Sequence, residues 1–131
     1  MVTMQRLDLQ NSQFDLSFAD ATPGDKAFFI APFDLTIKAI DYVHATAGSD
    51  GGAVTLNLER LQGTEAPGGN GDALLATAFN CKGTINTVQN GALTATTASL
   101  TLSKGNRLGL DYTGTLTALA GVVVSVVYEK A

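Results

Sequence analysis

The residues able to do chemistry are few. The chain holds one histidine, His44, and one cysteine, Cys81. A cysteine nucleophile needs a histidine that the fold brings beside it. That pairing is open from the sequence, and the alternative is a buried thiol acting as a small hydrophobe. Residues 44 to 61, HATAGSDGGAVTLNLERL, gather His44, Asp50 and the glycines Gly48, Gly51 and Gly52. A calcium loop sets oxygen ligands at alternate positions and closes with a bidentate glutamate. Here Asp50 is the sole carboxylate between Asp41 and Glu59. A phosphate-binding glycine loop needs a helix behind it, with Lys and Ser/Thr for a P-loop. The residues after Gly52 alternate like a strand instead. Ser49-Asp50-Gly51-Gly52 is therefore expected to be a turn in which the glycines supply positive φ.

Other chemical readings are thinner. Asp111 and Glu129 would form a carboxylate pair if their strands were neighbours, as glycoside hydrolysis requires. Asp72, beside Asn70 and Gly71, is a candidate calcium ligand in a loop. A Gly-x-Ser-x-Gly nucleophile elbow does not occur. Tyr42, Tyr112 and Tyr128 could line a sugar platform, but tryptophan is absent and they read as core or interface residues. No catalytic, cofactor-binding or metal-ligating residue is assigned, and no cofactor is expected.

Composition narrows the partners. The chain has 131 residues, enough for one domain with a core that needs no disulfide or metal. Hydrophobic residues make up 45% and charged residues 15%, below the usual share of about 25%. Such a chain hides surface against neighbours. The net charge is −4, and lysines and arginines are scattered singly. No basic stripe for nucleic acid and no basic patch for anionic membranes results. The start, MVTMQRLDLQ, has neither the charged nor the long apolar region of a signal peptide, so synthesis in the cytoplasm is expected. No apolar run approaches the roughly 20 residues of a membrane span.

The elements that must carry these residues are strands. In AVTLNLERL, Val54, Leu56 and Leu58 share one face, opposite Thr55, Asn57 and Glu59. Leu108, Leu110 and Tyr112 alternate likewise with Arg107, Gly109 and Asp111, and Leu100 and Leu102 with Ser99 and Thr101. In GVVVSVVYE, Val122, Val124, Val126 and Tyr128 form one face, while Val123, Ser125 and Val127 make the other face apolar too. That strand is central in a sandwich, or its outer face meets another subunit. Phe33, Leu35 and Ile37 share a face, but the same parity would bury Asp41. A bulge near Ala39 would restore the phase. Pro32 splits its stretch into two strands or marks an edge.

Turn residues separate these runs. Asn90-Gly91 predicts a type I′ hairpin. Lys104-Gly105-Asn106 and Tyr112-Thr113-Gly114-Thr115 predict tight turns, and APGGNGD a longer flexible loop. GALTATTASLTL and GTLTALAGVVV echo each other as common composition, not as a fixed-period repeat. The predicted fold is all-β: one jelly-roll-like β-sandwich of about eight antiparallel strands over residues 25–131. Residues 1–24 are expected to be an extended N-terminal arm. It carries one short strand, QFDLSF, with Phe14, Leu16 and Phe18 on one face, packed on a neighbouring subunit.

Three runs, GDKAFFIAPFDLTIKAIDYVHATAG, GGAVTLNLERL and LTLSKGNRLGLDYTGTLTALAGVVVSVVYE, resemble small virion structural proteins of tailed bacteriophages. These are the capsid decoration (cement) proteins and the head- or tail-fibre β-domains. The resemblance spans residues 24–130 and rests on strand and turn motifs, so it transfers no site residue. It implies a non-enzymatic homotrimer that binds the major capsid protein on the capsid surface and stabilises the head. Binding only to the assembled shell would favour that shell by mass action. The arm, residues 1–24, would then contact the capsid or an adjacent subunit, and its deletion would leave a folded sandwich. The alternative function is a fibre-tip or lectin-like adhesion module binding a host surface glycan. A small hydrolase built on the same fold would need His44.

Overall fold

Alternating apolar side chains build every long strand. The structure, a computed structural model, describes residues 13–131. The strands are β1 (Gln13–Asp20), β2 (Lys26–Ile30), β3 (Leu35–Val43), β4 (Thr55–Leu61), β5 (Asp72–Ala73), β6 (Phe79–Asn80), β7 (Gln89–Asn90), β8 (Thr101–Leu102), β9 (Arg107–Thr113) and β10 (Val122–Lys130). A 3₁₀ turn over Thr97–Leu100 is the only helical element among the described residues.

Two antiparallel sheets face each other. One has the order β1-β10-β3-β7, with β8 also on β3. The other has the order β2-β9-β4-β5, with β6 also on β4. The short pairs β5/β6 and β7/β8 each act as one interrupted strand, which leaves the eight strand positions of a jelly roll. The inner faces supply the core. Leu35, Ile37, Ile40, Val124 and Val126 of the first sheet meet Leu56, Leu58, Leu108 and Leu110 of the second, all essentially inaccessible.

The expected bulge is present. Tyr128 pairs with Ile37, but Val127 pairs with Ala39, so Lys38 is the extra residue. The insertion lets Leu35, Ile37, Ile40 and Tyr42 all point inward, while Lys38 is exposed and Asp41 turns outward. Pro32 lies in the crossing from β2 in one sheet to β3 in the other, where no ladder needs its missing N–H. β10 is central, between β1 and β3. Its second apolar face, Val123, Ser125 and Val127, is the outer, half-buried surface of the sheet.

Two expectations are corrected. Residues 13–20 do not form an arm. β1 pairs with β10 along its whole length, from Gln13 with Glu129 to Asp20 with Val122. Phe14, Leu16 and Phe18 pack on the chain's own core. The physical reason is that an unpaired β10 edge would leave its backbone N–H and C=O groups without partners, and pairing there lets Phe14, Leu16 and Phe18 cover the core. Residues 1–12 of the expected arm lie outside the described residues. Asn90-Gly91 also forms no hairpin: β7 pairs with β3, and the Gly91 N–H donates to the Ile40 carbonyl. A Cβ on Gly91 would sit 2.7 Å from that same oxygen and 2.7 Å from Leu75. Close backbone approach, not turn geometry, requires this glycine.

Candidate functional site

His44 comes directly after the last residue of β3 and is buried, with 1% exposure. Its Nε2 lies 2.9 Å from the Gly83 carbonyl, which can only accept, so this nitrogen carries the proton. Its Nδ1 lies 2.8 Å from the Tyr42 hydroxyl, which therefore donates to it. Both ring nitrogens are committed to structure. The Cys81 thiol is buried, and both ring nitrogens of His44 are taken by Tyr42 and Gly83 rather than by Cys81. Burial pushes the Cys81 thiol up and outweighs the opposing effect of the neighbouring Tyr42 side chain. Burial, first of all, also pushes Tyr42 far up. Tyr42 and His44 form a buried polar link in the core, and burial favours the protonated form of the Cys81 thiol beside it.

The glycine stretch after His44 is a turn, as expected, but it closes differently. The Gly52 N–H donates to the Asp50 carboxylate at 3.1 Å, an Asx-type closure. Neither Gly51 nor Gly52 adopts positive φ. The Asp50 carboxylate makes the turn that the glycines were expected to make.

The other acids are held apart or neutralised. Asp111 and Glu129 lie in different sheets, so they form no pair. Glu129 instead meets Lys38 at 3.6 Å. Asp72 is gripped by Arg60 at 2.7 Å, and the same guanidinium reaches the Ala98 and Thr101 carbonyls. No group of three or more His, Cys, Asp or Glu among the described residues is arranged to hold a metal ion.

Glu59 is a carboxylate whose burial the alternation pattern does not show. It lies on the outer side of β4 yet is 2% exposed. The loop between β4 and β5 folds over it, and Gly68, Gly69 and Gly71 donate backbone N–H groups to its two oxygens. Gly68 and Gly69 reach it through φ of 107° and 91°, which side chains disfavour. The loop expected to be flexible is thus tied to the sheet. Asp111 and Asp25 sit beside this anchor. Burial first, then Glu59, then Asp25, raise the Asp111 carboxyl above its usual range.

The three tyrosines are core residues. Tyr42 stacks on Phe79 at 5.0 Å, Tyr128 on Phe14 at 5.4 Å, and Tyr112 is buried. None offers a face to a sugar. No buried side-chain nitrogen or oxygen among the described residues lacks a hydrogen-bond partner.

What remains is surface. The outer face of the first sheet carries Ala19, Val123 and Val43 in one paired row. Val88, one residue before the Gln89 that pairs with Tyr42, is 59% exposed. Ile85 nearby in sequence is 49% exposed. Val127 and Ala39 pair in a second apolar row. A separate groove of about 560 Å³ lies between the edge strands β1 and β2. Scanning the chain against protein-family models, and comparing it with curated proteins and with solved structures, gives no match.

Proposed function

We propose that this chain is a non-enzymatic structural protein of a tailed-phage virion, a capsid decoration protein that assembles as a homotrimer and binds the major capsid protein. The observation that carries this reading is the outer face of the first sheet. Ala19, Val123 and Val43 make one apolar row across β1, β10 and β3, and Val127 and Ala39 make another, with the polar row Ser17, Ser125 and Asp41 between them. A solvated sheet face ordinarily alternates to polar residues. Two apolar rows on an outward sheet face fit a surface that meets another protein. The resemblance carried by the three strand-and-turn runs supplies the virion context. The buried polar groups support the same reading, since each is spent on holding the fold.

The test is the solution mass of the protein by light scattering behind a sizing column, then co-sedimentation with shells of a candidate phage capsid. A trimer that sediments with expanded shells is the expected result. A monomer with no affinity for shells would overturn the proposal.

A further inference from the structure

β2 ends its sheet, and among the described residues no strand pairs with its outer edge. The unpaired N–H and C=O groups of such an edge are a template for another strand, and edge strands are ordinarily guarded by a charge or a proline. From Ala27 to Ile30 β2 carries neither. These four residues line the groove of about 560 Å³, together with Phe18 of β1 and Arg107 of β9. The register fixes which way they point. Phe29 pairs with the core residue Leu108 and meets Tyr128 at 5.4 Å, so it faces inward. Ala27 pairs with Gly109 and Ile30 with Arg107, so both face outward. Phe28 is the extra residue of a bulge and stacks on Phe18 at 5.0 Å. The groove therefore draws on both faces of β2 and follows its free edge.

We infer that this groove takes an extended segment of a partner protein, added as a strand along β2 and carrying a carboxylate among apolar side chains. A strand sends alternate side chains to opposite faces, which matches a groove lined from both. Inward positions of the segment meet Phe18, Phe28 and Phe29, which are only half-buried. Outward positions meet Ile30, which is 68% exposed, and its cross-strand neighbour Arg107. Charge decides what those outward positions carry. Arg107 is the only charged residue among those lining the groove. Its Nη2 donates to the Gly63 and Glu65 carbonyls, which leave its charge uncompensated. Among the described residues no carboxylate lies within ion-pair distance of it, whereas Arg60 has Asp72 and Lys26 has Asp20. A carboxylate on the segment supplies the missing counter-charge, and such complementarity selects the partner. This edge is separate from the outer face of the first sheet, so the inference stands apart from the virion reading.

A library of random linear peptides, each about ten residues and so long enough for one strand, is panned against the full chain. Enriched peptides are expected to alternate apolar residues with Asp or Glu. On binding, the largest amide shift changes are expected at residues 26–30. Ile30→Asp and Arg107→Gln should each weaken the best peptide about tenfold. Ile30 is exposed, so its substitution leaves the core intact, and an unchanged melting temperature verifies the fold. Lys82→Gln removes an equal charge from a lysine that donates to the Gly52 carbonyl, and it should leave the affinity as it is. No enriched peptide, enriched peptides without acidic residues, equal affinities in all variants, or shift changes centred elsewhere would each overturn the inference. So would a solution mass that falls in Ile30→Asp, which would assign the groove to a second copy.

Discussion

The Tyr112 hydroxyl donates to the Asp20 carboxylate at 2.9 Å, joining the last residue of β1 in one sheet to β9 in the other. Asp20 is 1% exposed and also accepts from the Gly24 N–H and the Lys26 ammonium. Burial first, and then this bond, push the Tyr112 hydroxyl far up, so it stays a donor at every ordinary pH. The pair fixes the corner where the chain passes from one sheet to the next. Asp20→Ala removes the acceptor from a buried hydroxyl and should cost about 2–3 kcal/mol. Tyr112→Phe leaves the carboxylate its other two donors and should cost about 1 kcal/mol. Urea unfolding midpoints at constant slope would measure both.

A second prediction concerns pH. The folded-state pKa of Asp111 is raised by burial, by Glu59 and by Asp25. The folded state therefore holds this proton more tightly than the unfolded chain does. The resulting stability is complete below the unfolded pKa and is lost as pH rises through the folded one. At neutral pH ionised Asp111 is a net cost. Asp111→Asn should raise the melting temperature at pH 7 and lose its advantage near pH 3. The gain should stay below about 1 kcal/mol, since solvent screens a group this near the surface. A melting series from pH 3 to 8 checks it, and an Asn variant that is less stable at pH 7 contradicts it.

Glu59 carries a third. Its carboxylate satisfies the N–H groups of Gly68, Gly69 and Gly71. Glu59→Ala leaves those donors without their charged acceptor and should cost about 2–4 kcal/mol. Glu59→Gln keeps the shape and part of the bonding, so its loss should be smaller. Amide exchange should speed up at Gly68 to Gly71 in both variants, while β9 on the far side of β4 stays protected. Uniform acceleration through both sheets would mean that Glu59 supports the whole fold and not this loop.

These two acids also show where the sequence is legible. Period-two alternation locates β3, β4, β9 and β10, because a side chain's face depends only on its neighbours in the chain. The bulge is legible for the same reason: Asp41 and Ile40 cannot both obey one parity, and Lys38 resolves the conflict by looping out. The burial of Glu59 is not legible. Alternation correctly places it on the outer face, but the loop that buries it is a tertiary partner with no periodic signal. Gly91 fails differently. Asn-Gly is a strong local turn signal, yet the glycine is needed where the Ile40 carbonyl and Leu75 press on it. β1 reads as part of an arm because its phenylalanines alternate like those of any strand, and pairing with β10 is not written in either strand alone. His44 and Cys81 read as a candidate dyad because the sequence cannot show that both ring nitrogens of His44 are taken by Tyr42 and the Gly83 carbonyl.

The last prediction tests the apolar face directly. Val123 sits between Ala19 and Val43 on the outside of the sheet and faces away from the inner core positions. Val123→Asp would place a charge in the middle of the Ala19, Val123 and Val43 row while leaving the inward side chains Val122 and Val124 in place. If the proposed trimer buries this face, one buried unpaired charge per subunit should abolish it, because an uncompensated buried carboxylate costs several kcal/mol. The variant should elute as a monomer with an unchanged far-ultraviolet spectrum. Val123→Thr, nearly equal in volume, should weaken assembly without abolishing it. Asp15 lies on the same sheet face but on the edge strand and is already charged, so Asp15→Asn should leave the mass unchanged. A Val123→Asp protein that keeps the wild-type mass would place the subunit contact elsewhere. Val123 would then owe its apolar character to strand propensity alone, since valine is favoured on a pleated, half-buried surface whether or not a partner covers it.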